Sequence, residues 1–195
     1  MTDSRFGAAI AAIDARNADD PHTIVVNGAV RPKEQAHAEM VFDQVRRLRP
    51  GASEPLLLAA RAHHVRRWSI PRDSHGAGRV AYLTWRSALK EVHAAELRAA
   101  MSAAGYGEAE IARAEFLVRR RDPRRDPEVQ TLEDAICLVF LDTQLQEVAG
   151  KLDRAKIVDI LRKTMRKMSP EGIAAALRLD LPGGGRELLL EAAGA

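Results

Sequence analysis

The sequence predicts an all-α fold, a single compact bundle of about eight to nine helices. Two observations carry this. Apolar residues make up 46% of the chain but aromatics only 4%, so the core must be built mostly from Leu, Ala, Val and Ile. Ala and Leu are strong helix formers, and the Val-Ile-Thr-Tyr runs expected of strands are nearly absent.

The elements follow in order from caps and breakers. Ser4 is placed to cap a first helix with Phe6, Ala9, Ile10 and Ile13 on one face, ended by Asn17-Ala-Asp-Asp-Pro21. Thr23-Ile-Val-Val-Asn-Gly28 is the one strand-like run; it reads as an extended linker, with a small ribbon as the alternative. Pro32 opens a second helix to about Leu48, with Ala36, Met40, Val41, Val45 and Leu48 on its apolar face and His37 beside them. Ser53-Glu-Pro starts a third, which runs to about Trp68 before a loop from Ser69 to Gly78. The fourth helix spans about Arg79 to Ala103 and the fifth Glu108 to about Arg120.

Two Asp-Pro pairs make Arg119-Arg-Arg-Asp-Pro-Arg-Arg-Asp-Pro127 a charged connector of turns. Pro127 opens a sixth helix to about Val148, and its centre, Ala135 to Leu141, is apolar all round and belongs in the middle of the fold. A seventh covers about Asp153 to Lys167, Ser169 caps an eighth ending near Leu179, and a last short helix runs from Arg186 to Ala193. The expected division is one domain, with a core over about 32–148 and the C-terminal helices of 151–195 packed on it.

Charge and cysteine content narrow the functional classes. The net charge of +3 is a mild excess spread over both signs, which permits phosphate or nucleic-acid partners without demanding them. Cys137 is the single cysteine, so no internal disulfide can form and a reducing compartment is expected; within Ala-Ile-Cys-Leu-Val it reads as a small core residue. The first residues carry charge early and do not read as a signal peptide, and no stretch approaches the ~18 apolar residues of a membrane span. A cytoplasmic protein with no membrane contact is expected, and a homodimer is compatible with the sequence.

One stretch stands out: Arg61-Ala-His-His-Val-Arg-Arg-Trp-Ser-Ile-Pro-Arg-Asp-Ser-His-Gly-Ala-Gly-Arg79. Imidazoles at the inner end of an apolar helix need partners, and clustered guanidiniums repel unless an anion neutralises them. Glu133-Asp134 sets acids at the mouth of a buried helix, where they need pairing or a metal. Three central helices therefore offer ligands: His37, the pair His63 and His64, and Asp134.

This order of residues resembles the HD-domain superfamily of all-α, divalent-metal phosphohydrolases. Glu91-Val-His93-Ala-Ala-Glu-Leu, Gly105-Tyr-Gly-Glu-Ala-Glu-Ile and Glu133-Asp134-Ala135 are similar to segments of that fold, over roughly residues 32 to 145. A narrower resemblance spans nearly the whole chain. His64-Val-Arg-Arg-Trp68-Ser-Ile-Pro71-Arg72, Tyr82-Leu-Thr-Trp85-Arg86, Leu132-Glu-Asp-Ala-Ile-Cys-Leu-Val-Phe-Leu141 and Lys163-Thr-Met-Arg-Lys-Met-Ser169 look like the family called domain of unknown function 4202, which implies no established activity.

The superfamily resemblance implies a metal on His37, His63, His64 and Asp134. His63-His64 stands where the superfamily has His-Asp, so the set would suit one transition-metal ion (Mn, Fe, Zn, Co or Ni) rather than Mg, or no metal at all. Arginines at 119–121 replace the extra histidine of binuclear relatives. The expected chemistry is a metal-activated water attacking a nucleotide or other small phosphoester. Arg67, Arg72, Arg79 and Arg86 hold the phosphate, Trp68 stacks or guards, and Glu133 or His93 serves as general acid or base. The alternatives are a catalytically silent sensor of an anionic ligand, and an RNA-binding module on Arg119 to Arg125. Lys-Met-Ser169 resembles the ATP loop of class I aminoacyl-tRNA synthetases, yet the motif's required companions are absent. It reads as a helix end and a cap whose lysines reach a phosphate only if the seventh helix folds over the site.

Overall fold

The computed structural model describes residues 4–26, 28–120, 123–181 and 183–194. Ten α-helices and one two-stranded ribbon are present among them, in one compact domain. They are α1 (Arg5–Ala18), β1 (Thr23–Val26), β2 (Ala29–Pro32), α2 (Lys33–Leu48), α3 (Glu54–Arg61), α4 (Gly78–Ala103) and α5 (Glu108–Arg119). After these come α6 (Pro127–Thr143), α7 (Leu145–Ala149), α8 (Arg154–Met165), α9 (Pro170–Ala176) and α10 (Gly185–Ala193). The predicted caps are in place. Ser4 Oγ accepts from Gly7 N, Ser53 Oγ from Leu56 N and Ser169 Oγ from Gly172 N.

Three boundaries differ from the sequence reading. First, the strand-like run does find a partner: β1 and β2 pair antiparallel, Thr23 opposite Pro32 and Val26 opposite Ala29. The ribbon returns the chain so that Asp20 lies under the start of α2. Asp20 Oδ2 accepts from Glu34 N at 2.8 Å, and Oδ1 accepts from His22 N. Asp20 thereby supplies the capping acceptor that Pro32 lacks. Second, α3 stops at Arg61 rather than Trp68. The chain then turns, with Arg66 left-handed at φ 52°, into short 3₁₀ turns at Arg67–Ser69 and Arg72–His75. Third, the long sixth helix breaks at Gln144 into α6 and α7.

The apolar interior falls into two clusters. One gathers Ile13, Val41, Leu58, Leu97, Met101 and Leu117 from the first five helices with Val129 and Leu132 of α6. The other gathers Leu138 and Leu141 of α6 with Leu145, Ile157, Leu161 and Leu189 of the C-terminal helices. Helix α6 runs through both, as its wholly apolar centre predicts.

Candidate anion pocket

A cavity of about 330 Å³ opens between the two clusters. Helical period decides what faces it. On α4 the stripe Tyr82, Trp85, Arg86, Leu89, Lys90 and His93 lines the wall, and on α6 Glu133, Ile136, Cys137 and Phe140 do the same. Both sets follow the i, i+3, i+4, i+7 rule. His37 comes from α2, His63, His64 and Arg67 from the turns that follow α3, and Arg120 from the C-cap of α5. Ile160, Thr164 and Lys167 arrive from α8 and the turn after it, so that helix does fold over the site.

The histidines form a stack. The His63 and His64 rings are 4.2 Å apart, and those of His64 and His93 5.8 Å. Each is fixed through Nδ1. His63 donates to Ala60 O at 3.0 Å, His93 to Val65 O at 2.8 Å, and His64 to Glu34 Oε2 at 3.1 Å. A carbonyl or carboxylate oxygen only accepts, so Nδ1 carries the proton and Nε2 of a neutral ring is an acceptor. Burial keeps these rings neutral: it lowers His63 well below the usual imidazole value, His64 to about 4 and His93 to about 3. Glu34 lies behind them, with His37 Nδ1 3.9 Å and Arg67 Nε 3.6 Å away. Burial pushes its carboxyl up, but His64, His37 and Arg67 outweigh that and hold it ionised. Glu34, one helical turn before His37, escaped the sequence reading; the Glu-x-x-His spacing was the signal for it.

Arg120 is the other residue the sequence did not single out. It falls in the charged connector, yet it follows buried Leu117 by three residues and turns inward. Its side chain is only 8% exposed and its backbone is left-handed at φ 49°. Nε faces Glu133 at 3.6 Å, beyond hydrogen-bond distance, and Nη1 has no partner among the described residues. Burial pushes the guanidinium pKa down, and Arg86 and Arg67 add repulsion against Glu133's pull.

The predicted residues divide accordingly. His37, His63, His64, His93, Glu133, Arg67 and Arg86 line the cavity. Arg72 and Trp68 line a neighbouring groove instead. Arg72 donates to Gly76 O and packs over the Tyr82 and Trp85 rings. Arg79 is exposed in the first turn of α4, away from the cavity. Trp85, fixed by donating Nε1–H to Ile70 O at 2.9 Å, supplies the indole of the site with Arg67 over its ring at 4.8 Å.

Asp134 is not part of the cavity wall. One residue on from Glu133, it points with Leu138 and Leu141 toward the C-terminal helices. Its Oδ1 accepts from Ser169 N at 2.8 Å and Gln130 Nε2 at 3.0 Å, and its Oδ2 from Ser169 Oγ at 2.6 Å. Gly172 makes this approach possible, since a Cβ there would come within 2.6 Å of Asp134 Cγ. Asp134 anchors α9 to α6. Among the described residues no three His, Cys, Asp or Glu side chains are gathered as metal ligands. Cationic groups crowd the cavity in addition. The residues present therefore do not fit the metal that the HD-like order implied.

The connector arginines divide as well. Arg119 pairs with Glu91 at 2.9 Å, Arg124 donates to Arg166 O, and Arg121 and Asp122 lie outside the described residues. Cys137 is buried at the cavity edge, and burial raises its thiol to about 12.

Fold and site together define an all-helical domain built around a cation-walled, histidine-floored pocket. The sequence profile of the family described as Domain of unknown function (DUF4202) matches residues 7–189, and the chain belongs to that family. No curated protein and no solved structure matches it. Among the described residues no helix is long and apolar enough to cross a membrane.

Proposed function

We propose that the protein binds a small phosphorylated molecule in this cavity. The observation that carries the reading is Arg120: a guanidinium with a buried, unpartnered Nη1 facing a cavity. A guanidinium does not deprotonate at neutral pH, and it meets phosphate through paired hydrogen bonds. Arg67, Arg86, Lys90 and Lys167 share the cavity with it, against Glu133 as the acid in the wall. The uncharged half of the wall, Trp85, Leu89, Ile136 and Phe140, suits the organic part of an ester. A single buried thiol agrees with a reducing, cytoplasmic setting.

Binding of this kind makes the protein a binding or sensing domain. Turnover of the bound ester is a second reading, favoured by the Glu34–His64 pair. The carboxylate holds the Nδ1 proton, opposes the loss of basicity that burial imposes, and leaves Nε2 as the acceptor that orients an attacking water without a metal. The helix order of His37, the His63-His64 pair and His93 supports kinship with the HD-like bundle; the placement of Asp134 speaks against that superfamily's metal chemistry.

Titration of the protein at low salt with inorganic phosphate, glycerol phosphate and ribose 5-phosphate tests the binding. We expect saturable shifts in the Trp85 indole signal and a loss of affinity of roughly tenfold in Arg86→Ala, the scale of one charged hydrogen bond. No binding at millimolar concentrations refutes the proposal. Phosphate release that persists with a chelator and disappears in His64→Gln supports turnover; its absence leaves the sensing reading.

A further inference from the structure

A second cavity of about 500 Å³ adjoins the first. The two share Arg86, Lys90, Arg120, Glu133 and Lys167, and the outer one adds Arg124, Arg125 and Arg166. The wall of the outer cavity is thus charged throughout, and Glu133 is its one acid among the described residues. This mouth is built rather than incidental. Arg124 Nη2 donates to Arg166 O at 3.2 Å, and Gln130 Nε2 donates to Lys167 O at 2.8 Å. Those bonds tie the turn before α6 and the start of α6 itself to the turn after α8, so cations distant in sequence are held on one rim.

We infer that the ligand carries at least two phosphates, one at Arg120 where the cavities meet and the next at the rim of Arg124, Arg125 and Arg166. The inference rests on the phosphate reading above. A single phosphate, with a charge of about −2, leaves most of this rim unneutralised. An organic pyrophosphate or polyphosphate satisfies both cavities: its uncharged group fills the apolar inner part and its phosphates run outward over the cations. Cationic donors clustered in a cleft concentrate the field and attract such a chain of charge.

Calorimetric titration of the full chain at low salt, with phosphate, pyrophosphate, a nucleoside monophosphate and the matching triphosphate, tests it. We expect each polyphosphate to bind at least about tenfold tighter than its monophosphate counterpart. An Arg124→Ala/Arg125→Ala double variant, and separately Arg166→Ala, should remove that gain and leave monophosphate affinity within about twofold. These side chains are exposed, and a thermal melt of each variant checks that the fold is kept. Equal affinity for mono- and polyphosphates overturns the inference while leaving the phosphate reading intact, and so do variants that weaken both alike. Short single-stranded RNA that displaces pyrophosphate at equal affinity also overturns it, in favour of a nucleic-acid surface. No binding of any of these probes overturns both proposals.

Discussion

Arg120→Met separates function from stability. The substitution keeps a long unbranched side chain in the same left-handed backbone position, so backbone strain cancels. It removes a buried donor with no partner, which costs about 1–3 kcal/mol in the ligand-free protein. It also removes the contact with Glu133, but that carboxylate is 3.6 Å away and still faces a cavity lined by Arg86, Lys90 and Lys167. The repulsion of Arg120 by Arg86 and Arg67 disappears too. The net expectation is a gain of about 1 kcal/mol, or roughly 2–4 °C in melting temperature. Phosphate affinity should fall by about ten- to a hundredfold, because a charged hydrogen-bond donor is lost from the binding site. Differential scanning calorimetry without ligand and titration with phosphate measure the two effects on one preparation. Arg120→Lys, which keeps charge but not the planar fork, should fall between in affinity. A melting temperature lowered by several degrees with affinity unchanged would refute the reasoning and make Arg120 a structural residue.

Other outcomes follow from the same geometry. Gly172→Ala should cost about 1–3 kcal/mol in urea unfolding, since its Cβ meets Asp134. The penalty should shrink in an Asp134→Ala background, and strict additivity would rule out the contact. His64 and His93 titrate near 4 and 3 when folded against 6.5 unfolded, so the unfolded chain binds more protons below pH 6.5. Stability should therefore fall on acidification through that window, by up to about 1.4 kcal/mol per histidine per pH unit, with Glu34 acting in the same sense below the ordinary carboxylate range. A flat stability profile between pH 7 and 5 would contradict the buried neutral stack. Cys137 should ignore a disulfide reagent at pH 8 until denaturant is added, and native-state labelling at the rate of a free thiol would count against its burial.

Local signals in the sequence were legible and long-range ones were not. Ser4, Ser53 and Ser169 cap helices through bonds three residues away, so their roles are written within one turn. The ribbon is obscured in the sequence because β2 begins with Ala29 and ends with Pro32, residues depleted in strands. The end of α3 has neither Pro nor Gly to announce it; His63 bonding back to Ala60 O and left-handed Arg66 make the turn. At the site, residue types were readable but their directions were not. Glu133 and Asp134 are neighbours in sequence, and about 100° of helical rotation sends one to the cavity and the other to α9. Arg120 looked like one of five connector arginines until burial distinguished it.

The pocket lies on the seam between two apolar clusters that α6 threads and that Leu48 of α2 also touches. Arg86 and Arg120 belong to the N-terminal side of that seam, Arg166 and Lys167 to the C-terminal side. An anion gripped by both acts as a rivet, and its binding free energy adds to the cohesion between the two halves. In the empty protein, α8 to α10 should open as a unit ahead of the rest, visible as faster amide hydrogen exchange. Occupancy of the pocket should then be readable far from the ligand, in the slowed exchange of α10.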